Sequence, residues 1–232
     1  MRIRPLLALL ASGAVMLGLA ACSSGNTGSG GSGNTPSASS LEADAIAALK
    51  SAQSVRLSGT ITQGGKSISI HMGFLRSGAV QGSMSGPFAG SRNIAFSVII
   101  TGGTAYVLVD KQFFTSVLQA NGAPASACAT YCGKYIKLPT TQFSGFNLKG
   151  LTNQVFKSNT KVQASVVTAT VNGQAAYRIS DTKGNYLYIA KNGTHYPLEI
   201  TRPGHGALLF SEWNSVPPIS PPPASQVISA GI

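Results

Sequence analysis

The stretch Val55-Arg56-Leu57-Ser58-Gly59-Thr60-Ile61, followed by Gln63-Gly64-Gly65-Lys66 and then Ile68-Ser69-Ile70-His71-Met72-Gly73-Phe74, alternates apolar and polar residues on both sides of a turn. A period of two puts every second side chain on one face of a strand, so the pair reads as a β-hairpin with an apolar face and a wet face. The pattern continues downstream. Val80, Gly82 and Met84 alternate weakly and Ile94, Phe96, Val98 and Ile100 strongly. Gly102-Gly103 then turns the chain into Thr104 to Asp110, with Ala105, Val107 and Val109 on one face and Tyr106 and Leu108 on the other. Strands resume from Lys161 to Val171, where Asn172-Gly173 is a strong hairpin signal. Ala175 to Asp181, Tyr186 to Ala190, His195 to Thr201 and Ala207 to Trp213 follow, separated by turns.

Helical spacing flanks and interrupts these strands. Ser39 and Glu42 have the spacing of a capping box, and Leu41, Ala45, Ile46, Ala48 and Leu49 share one helical face that ends near Lys50. Between Lys111 and Lys161 the period changes again. Phe113, Phe114, Val117 and Leu118 form one helical cluster; Phe146, Leu148, Leu151, Val155 and Phe156 form another. One helix, about five strands, an insert and about five more strands make an α+β fold built on an antiparallel meander. A sheet of about 10–11 strands does not stay flat and open. The expected form is a strongly curved antiparallel half-barrel with helices in its concave face; a β-sandwich is the competing form.

The chain opens with Arg2 and Arg4, an apolar run from Leu6 to Leu19, and Leu19-Ala20-Ala21-Cys22. This is the form of a secretory signal, too short for a permanent span. Leu-Ala-Ala-Cys resembles the bacterial lipobox, which implies cleavage after residue 21 and lipid attachment at Cys22, by diacylglycerol and then N-acylation with a chain such as palmitate. Ser23 to Ser40 is nearly pure Gly, Ser, Asn and Thr, a flexible tether reaching about 25 Å. The expected layout is a signal peptide over 1–21, a lipidated tether over 22–40, a folded domain over 41–216 and a frayed Pro-rich tail over 217–232. Localisation follows: the extracytoplasmic face of the cell membrane, held by a lipid anchor.

Charged residues are only 10% of the chain and the formal net charge is +11. The lysines are dispersed and no basic helix appears, so a nucleic-acid partner is not expected. Anionic headgroups fit the location better. Between Asp110 and Asp181 there is no acid, and Lys134, Lys137 and Lys149 within that interval are expected to form a positive rim at a pocket mouth. Cys128 and Cys132 stand four apart; outside the cytoplasm a local disulfide is the first reading, with the segment turned or distorted so that the two can meet. A thioredoxin-type pair needs a tighter spacing, and a zinc site needs further ligands. His71, His195 and His205 stand beside no nucleophile or metal motif. Neither catalysis nor a cofactor or metal is expected.

The helix running into Ser51-Ala52-Gln53-Ser54-Val55-Arg56-Leu57-Ser58-Gly59, the central Tyr135-Ile136-Lys137-Leu138-Pro139, the closing Asn172-Gly173-Gln174-Ala175-Ala176-Tyr177-Arg178-Ile179, Tyr188-Ile189-Ala190 and Tyr196-Pro197-Leu198-Glu199-Ile200, together with the lipobox and tether, resemble actinobacterial lipoproteins of the LppX, LprA, LprF and LprG group. That group is similar in fold to the lipoprotein carrier LolA. The Cys128–Cys132 pair departs from its pattern. The resemblance implies a U-shaped sheet over a cavity for acyl chains and a lipid or lipoglycan ligand for transport or presentation. A monomer is expected, with a transporter partner in the envelope. The alternative is a sensor or scaffold of the same fold that recognises an envelope protein. Expected cavity residues are Phe96, Val98, Tyr106, Leu108, Phe113, Phe114, Leu118, Phe143, Phe146 and Leu151.

Overall fold

The computed structural model describes residues 35–88, 92–156 and 161–228; the signal segment, Cys22 and most of the tether lie outside the described residues. The first helix, α1, spans Ala38–Ser51. Its cap is Ser37, whose Oγ accepts the Ser40 N–H at 3.1 Å. Ser39 therefore lies in the first turn, and Glu42 is too far along to close the expected capping box.

The strands are β1 Ser54–Gln63, β2 Lys66–Leu75, β3 Val80–Phe88, β4 Arg92–Thr101, β5 Thr104–Val109, β6 Lys134–Pro139, β7 Val162–Val171, β8 Gln174–Asp181, β9 Tyr186–Ala190, β10 Pro197–Arg202, β11 Gly206–Ser211 and β12 Val227–Ile228. They form one twelve-stranded sheet in the order β12-β6-β5-β4-β3-β2-β1-β11-β10-β9-β8-β7. β12 runs parallel to β6 and every other described pair is antiparallel. Two hairpin meanders thus meet where β1 pairs with β11, Leu57 opposite Phe210. The sheet is a strongly curved half-barrel with helices in its concave face.

The strand phase decides what faces the helices. Val55, Leu57, Met72, Val80, Val98, Val107 and Ile136 lie on the concave face and are buried. They join Phe113, Phe114, Leu118, Phe143 and Leu151 of the insert in one continuous apolar cluster. A second cluster sets Leu41 and Ala45 of α1 against Ile179 and Ile189 of β8 and β9. Each half of the concave face therefore has its own principal cover, α1 over one meander and the insert over the other, with Leu49 of α1 and Phe156 of the insert reaching across.

Bending such a wall requires strands to fold in on their neighbours. Gly59 and Gly82 both face the concave side, where a Cβ would stand 2.2 Å from Ala207 O and 2.0 Å from His71 O respectively. Their φ values of 142° and 157° are rarely adopted by residues with a side chain. Glycine is what lets the sheet bend at these points.

The described part of the segment after β11, up to residue 228, is not frayed. Glu212 and Asn214 adopt φ of 50° and 59° and turn the chain, with Asn214 Oδ1 accepting the Gln53 N–H at 2.6 Å and Asn214 Nδ2 donating to Tyr196 Oη at 2.8 Å. Val216 N–H then donates to Ser54 Oγ at 3.1 Å, Thr101 Oγ1 to Ile219 O at 3.5 Å and Lys134 Nζ to Ser225 O at 3.0 Å. Ser54, Thr101 and the edge of β6 mark a path across the convex face, ending in β12. Prolines fit such a strap because it needs few backbone donors. Replacing Gly82 by Val is expected to lower the unfolding free energy by about 2–3 kcal/mol, read as a reduced urea midpoint.

Candidate ligand-binding site

The cover over β1–β6 is built of short pieces. Asp110 caps it, Oδ1 accepting the Phe113 N–H at 2.7 Å at the start of helix α2, Lys111–Phe113. The chain continues as a π-helical turn, Phe114–Leu118, in which Gln119 N–H donates to Phe114 O, and as a 3-10 turn, Gln119–Asn121. After a second 3-10 turn, Ala125–Ala127, comes helix α3, Cys128–Tyr131, then β6, another 3-10 turn, Thr140–Phe143, and helix α4, Leu148–Phe156. The longest of these helical pieces, α4, has nine residues. Helices this short are not stable on their own in water, so apolar contact with the wall holds them. A disulfide between Cys128 and Cys132, with Cα atoms 4.9 Å apart, ties α3 locally. Cys132 leaves the helix with extended backbone, the distortion that a four-residue spacing demands.

Seven of the expected cavity residues, Phe96, Val98, Phe113, Phe114, Leu118, Phe143 and Leu151, are buried together in the seam between wall and cover. Phe146 is half-buried against them, edge-on to Phe143 with ring centroids 5.9 Å apart. Tyr106 and Leu108 are not part of this site. They pair with Ile99 and Ser97 on the convex face, because Val107 and Val109 take the concave phase of β5. The expected positive rim does not form either. Lys134 is bonded to the C-terminal strap, Lys137 stands opposite Tyr106 on the convex side, and Lys149 is exposed on α4. Proximity along the chain does not gather these lysines, since 134 and 137 differ by an odd number on one strand.

A cavity of about 360 Å³ opens where the β2–β3 and β4–β5 turns meet the chain leaving β6. Phe143 and Ile100 form its floor on the core side, and Ser77, Thr140, Phe146 and Asn147 its rim. A smaller cavity of about 80 Å³ lies between α1, α4 and β8–β10, lined by Glu42, Phe156, Ile179, Leu187, Ile200 and Arg202. Neither cavity was legible in the sequence as a site. The paired turns Ser77-Gly78 and Gly102-Gly103 were the available signal for the first.

The three histidines are dispersed: His195 Nδ1 lies 2.8 Å from Asp44 Oδ2, His71 Nε2 3.5 Å from Arg56 Nη1, and His205 Nδ1 3.0 Å from Thr62 O. Among the described residues no group of three or more His, Cys, Asp or Glu could hold a metal ion. No helix among them is long and apolar enough to cross a membrane.

No family model matches the chain, and comparison with curated proteins finds no match. Solved structures do match. LprF from Mycobacterium bovis superposes with a TM-score of 0.51 at 14% identity, covering 79% of this chain and 95% of its own. The chain has the LprF-type, LolA-like fold. The Mycobacterium tuberculosis lipoprotein LppX gives a TM-score of 0.43 at 14% identity over 78% of this chain and 97% of that one. An uncharacterized conserved protein from Thermus thermophilus gives 0.36 at 10% identity, over 83% and 98%.

In this LprF-type fold Glu42 is the carboxylate that α1 presents to the smaller cavity. Burial there raises its pKa above the ordinary 4.5. A raised carboxylate pKa means that the fold resists its ionisation. Nothing is lost well below pH 4.5, where both states hold the proton; the cost builds as pH rises from that value to the raised folded-state pKa and is constant above it. Glu42→Gln is therefore expected to raise Tm at pH 7 by up to about 2 °C, the small size reflecting partial exposure. The gain should vanish at pH 4 and below in thermal scans by circular dichroism.

Proposed function

We propose that the protein is a membrane-anchored extracytoplasmic lipoprotein that binds a hydrophobic ligand, lipid or lipoglycan, between the curved wall and its segmented cover, and moves or presents it in the cell envelope. The reading rests on one observation above all. The cover facing Met72, Val80, Phe96, Val98 and Val107 is a chain of short helical turns bearing Phe113, Phe114, Leu118 and Phe143. Hydrocarbon chains entering that seam would replace apolar contacts by apolar contacts, so opening it exposes little apolar surface to water. The cavity bordered by Phe143 and Phe146 is the natural mouth. Its volume falls within the roughly 300–1,000 Å³ of small-molecule sites. Binding of this kind needs no general acid, nucleophile or metal. Attachment through Cys22 would keep the domain within a tether's reach of the bilayer; two or more acyl chains hold stably, at about 0.8 kcal/mol per buried methylene.

The second reading is a sensor or scaffold of the same fold that recognises an envelope protein. One observation favours it: Phe113, Phe114, Leu118 and Leu151 are buried in direct continuity with the wall, so the seam is closed. Native mass spectrometry of the full chain, purified in mild detergent from the organism that encodes it, separates the two. The carrier reading predicts an adduct of one lipid per chain, with Leu118→Trp reducing its occupancy at least about five-fold while the fold persists. Recovery of lipid-free protein, together with no change in Trp213 fluorescence on titration with a phospholipid, would leave the scaffold reading.

A further inference from the structure

The two edges of the sheet are treated differently. At one end lies β12, two residues long and fed by the strap. A short edge strand offers little to an incoming chain. At the other end lies β7, ten residues reading Val-Gln-Ala-Ser-Val-Val-Thr-Ala-Thr-Val. Among the described residues it has no second neighbour in the sheet. It contains no lysine, no other charge and no proline, the residues that ordinarily blunt an edge. A register shift between Val162 and Val166 interrupts only its first half.

The hairpin chemistry fixes which backbone groups face outward. Asn172 and Gly173 have φ of 48° and 81°, the left-handed pair of a type I′ two-residue turn. Such a turn is closed by a hydrogen-bonded pair, here Val171 and Gln174, and hydrogen-bonded pairs alternate along an antiparallel ladder. Ala169 with Ala176 and Val167 with Arg178 are therefore the next bonded pairs. The N–H and C=O of Val166, Thr168 and Thr170 point away from β8, towards the open edge. Val167, beside them, is 41% exposed, the one large hydrophobic side chain among the described residues that is open to this degree.

Charge selects the occupant. The charged residues within β7–β9 are Arg178 and Asp181. Asp181 is engaged in its own turn, accepting from Lys183 N, Asn185 N and Asn185 Nδ2 at 2.7–2.9 Å. Lys161 precedes β7, Lys183 follows β8, and Arg178 lies 4.9 Å above the Tyr186 ring. α1, packed beside β7 on the concave side, carries Glu42 and Asp44, the latter 2.8 Å from His195, whereas a second copy added at the edge would set Lys161, Arg178 and Lys183 against the same three cations.

We propose that β7 is a docking edge for an extended segment of a partner protein, added as an antiparallel strand with alternating apolar side chains and acidic flanks. Its backbone would pair with Val166, Thr168 and Thr170, and its acidic ends would meet Lys161, Arg178 and Lys183. This function is separate from the ligand seam and survives if that reading fails.

The probe is a synthetic peptide of alternating Val and Thr flanked on each side by two Asp residues, added to the full chain. Slowed amide exchange at Val166, Thr168 and Thr170 is expected, with exchange unchanged across β1–β5. Thr168→Pro removes an outward N–H and no ladder bond, and Val167→Lys adds an edge charge; each should weaken peptide affinity at least about ten-fold with Tm nearly unchanged. A peptide with Lys flanks should bind more weakly at low salt. Unprotected amides at the three positions in the unaltered protein, or affinity unchanged in both variants, would overturn the proposal. So would concentration-dependent self-association that protects these amides without peptide, which would make the occupant a second copy.

Discussion

The rest of the structure depends on one constraint: a long antiparallel sheet carries an apolar face that must leave water, and the described residues form no second sheet to put against it. Burial of apolar area at about 25 cal/mol per Å² is the dominant drive to cover such a face. The sheet curls around a cover made of α1 on one side and the insert on the other. The two differ in kind. α1 is a fourteen-residue capped helix seated by Leu41 and Ala45, whereas the insert is a succession of single turns that owe their order to the wall. A cover that is ordered only by contact is one that another apolar body can displace, and this links the folding problem to the proposed ligand binding.

Curvature and strap are two consequences of the same constraint. Curling brings backbones so close that Gly59 and Gly82 have no room for a Cβ. On the outside it leaves apolar side chains such as Ile99 at risk of exposure, and Ile99 is buried on the face that the C-terminal strap crosses. The strap also joins the two meanders. It begins at Trp213, stacked on Tyr196 with ring centroids 4.4 Å apart, and ends beside β6. Chain that carries no alternation of its own thus does structural work by following a surface already made.

The hairpins were legible because each carries its own period and turn: Gly64-Gly65, Gly102-Gly103 and Asn172-Gly173 stand where the sequence puts them. The curved form followed from strand count, and the resemblance to the LppX and LprF group pointed to the same architecture. β6 was less clear. Tyr135-Ile136-Lys137-Leu138 alternates, but it lies inside an insert whose phenylalanines have helical spacing, and a short local pattern does not announce its distant partner β5. The misplacement of Tyr106, Leu108 and Lys137 has one cause: a side chain's face depends on strand phase, which composition and charge counts do not carry, whereas Lys134 is taken by the strap and Lys149 lies exposed on α4. The strap was illegible because Pro217 to Pro223 has neither helical nor strand period; its order comes from Ser54, Thr101 and Lys134, far away in sequence.

The central claim is that wall and cover are separable units joined by a replaceable apolar seam. Native-state hydrogen exchange resolved by residue tests this directly, because local opening reports its own free energy apart from global unfolding. The account predicts that amides of 111–133 and 140–156 open at least about 2–3 kcal/mol more easily than those of β1–β5, while the wall stays protected. Equal opening free energies, with cover and wall exchanging as one cooperative body, would contradict it.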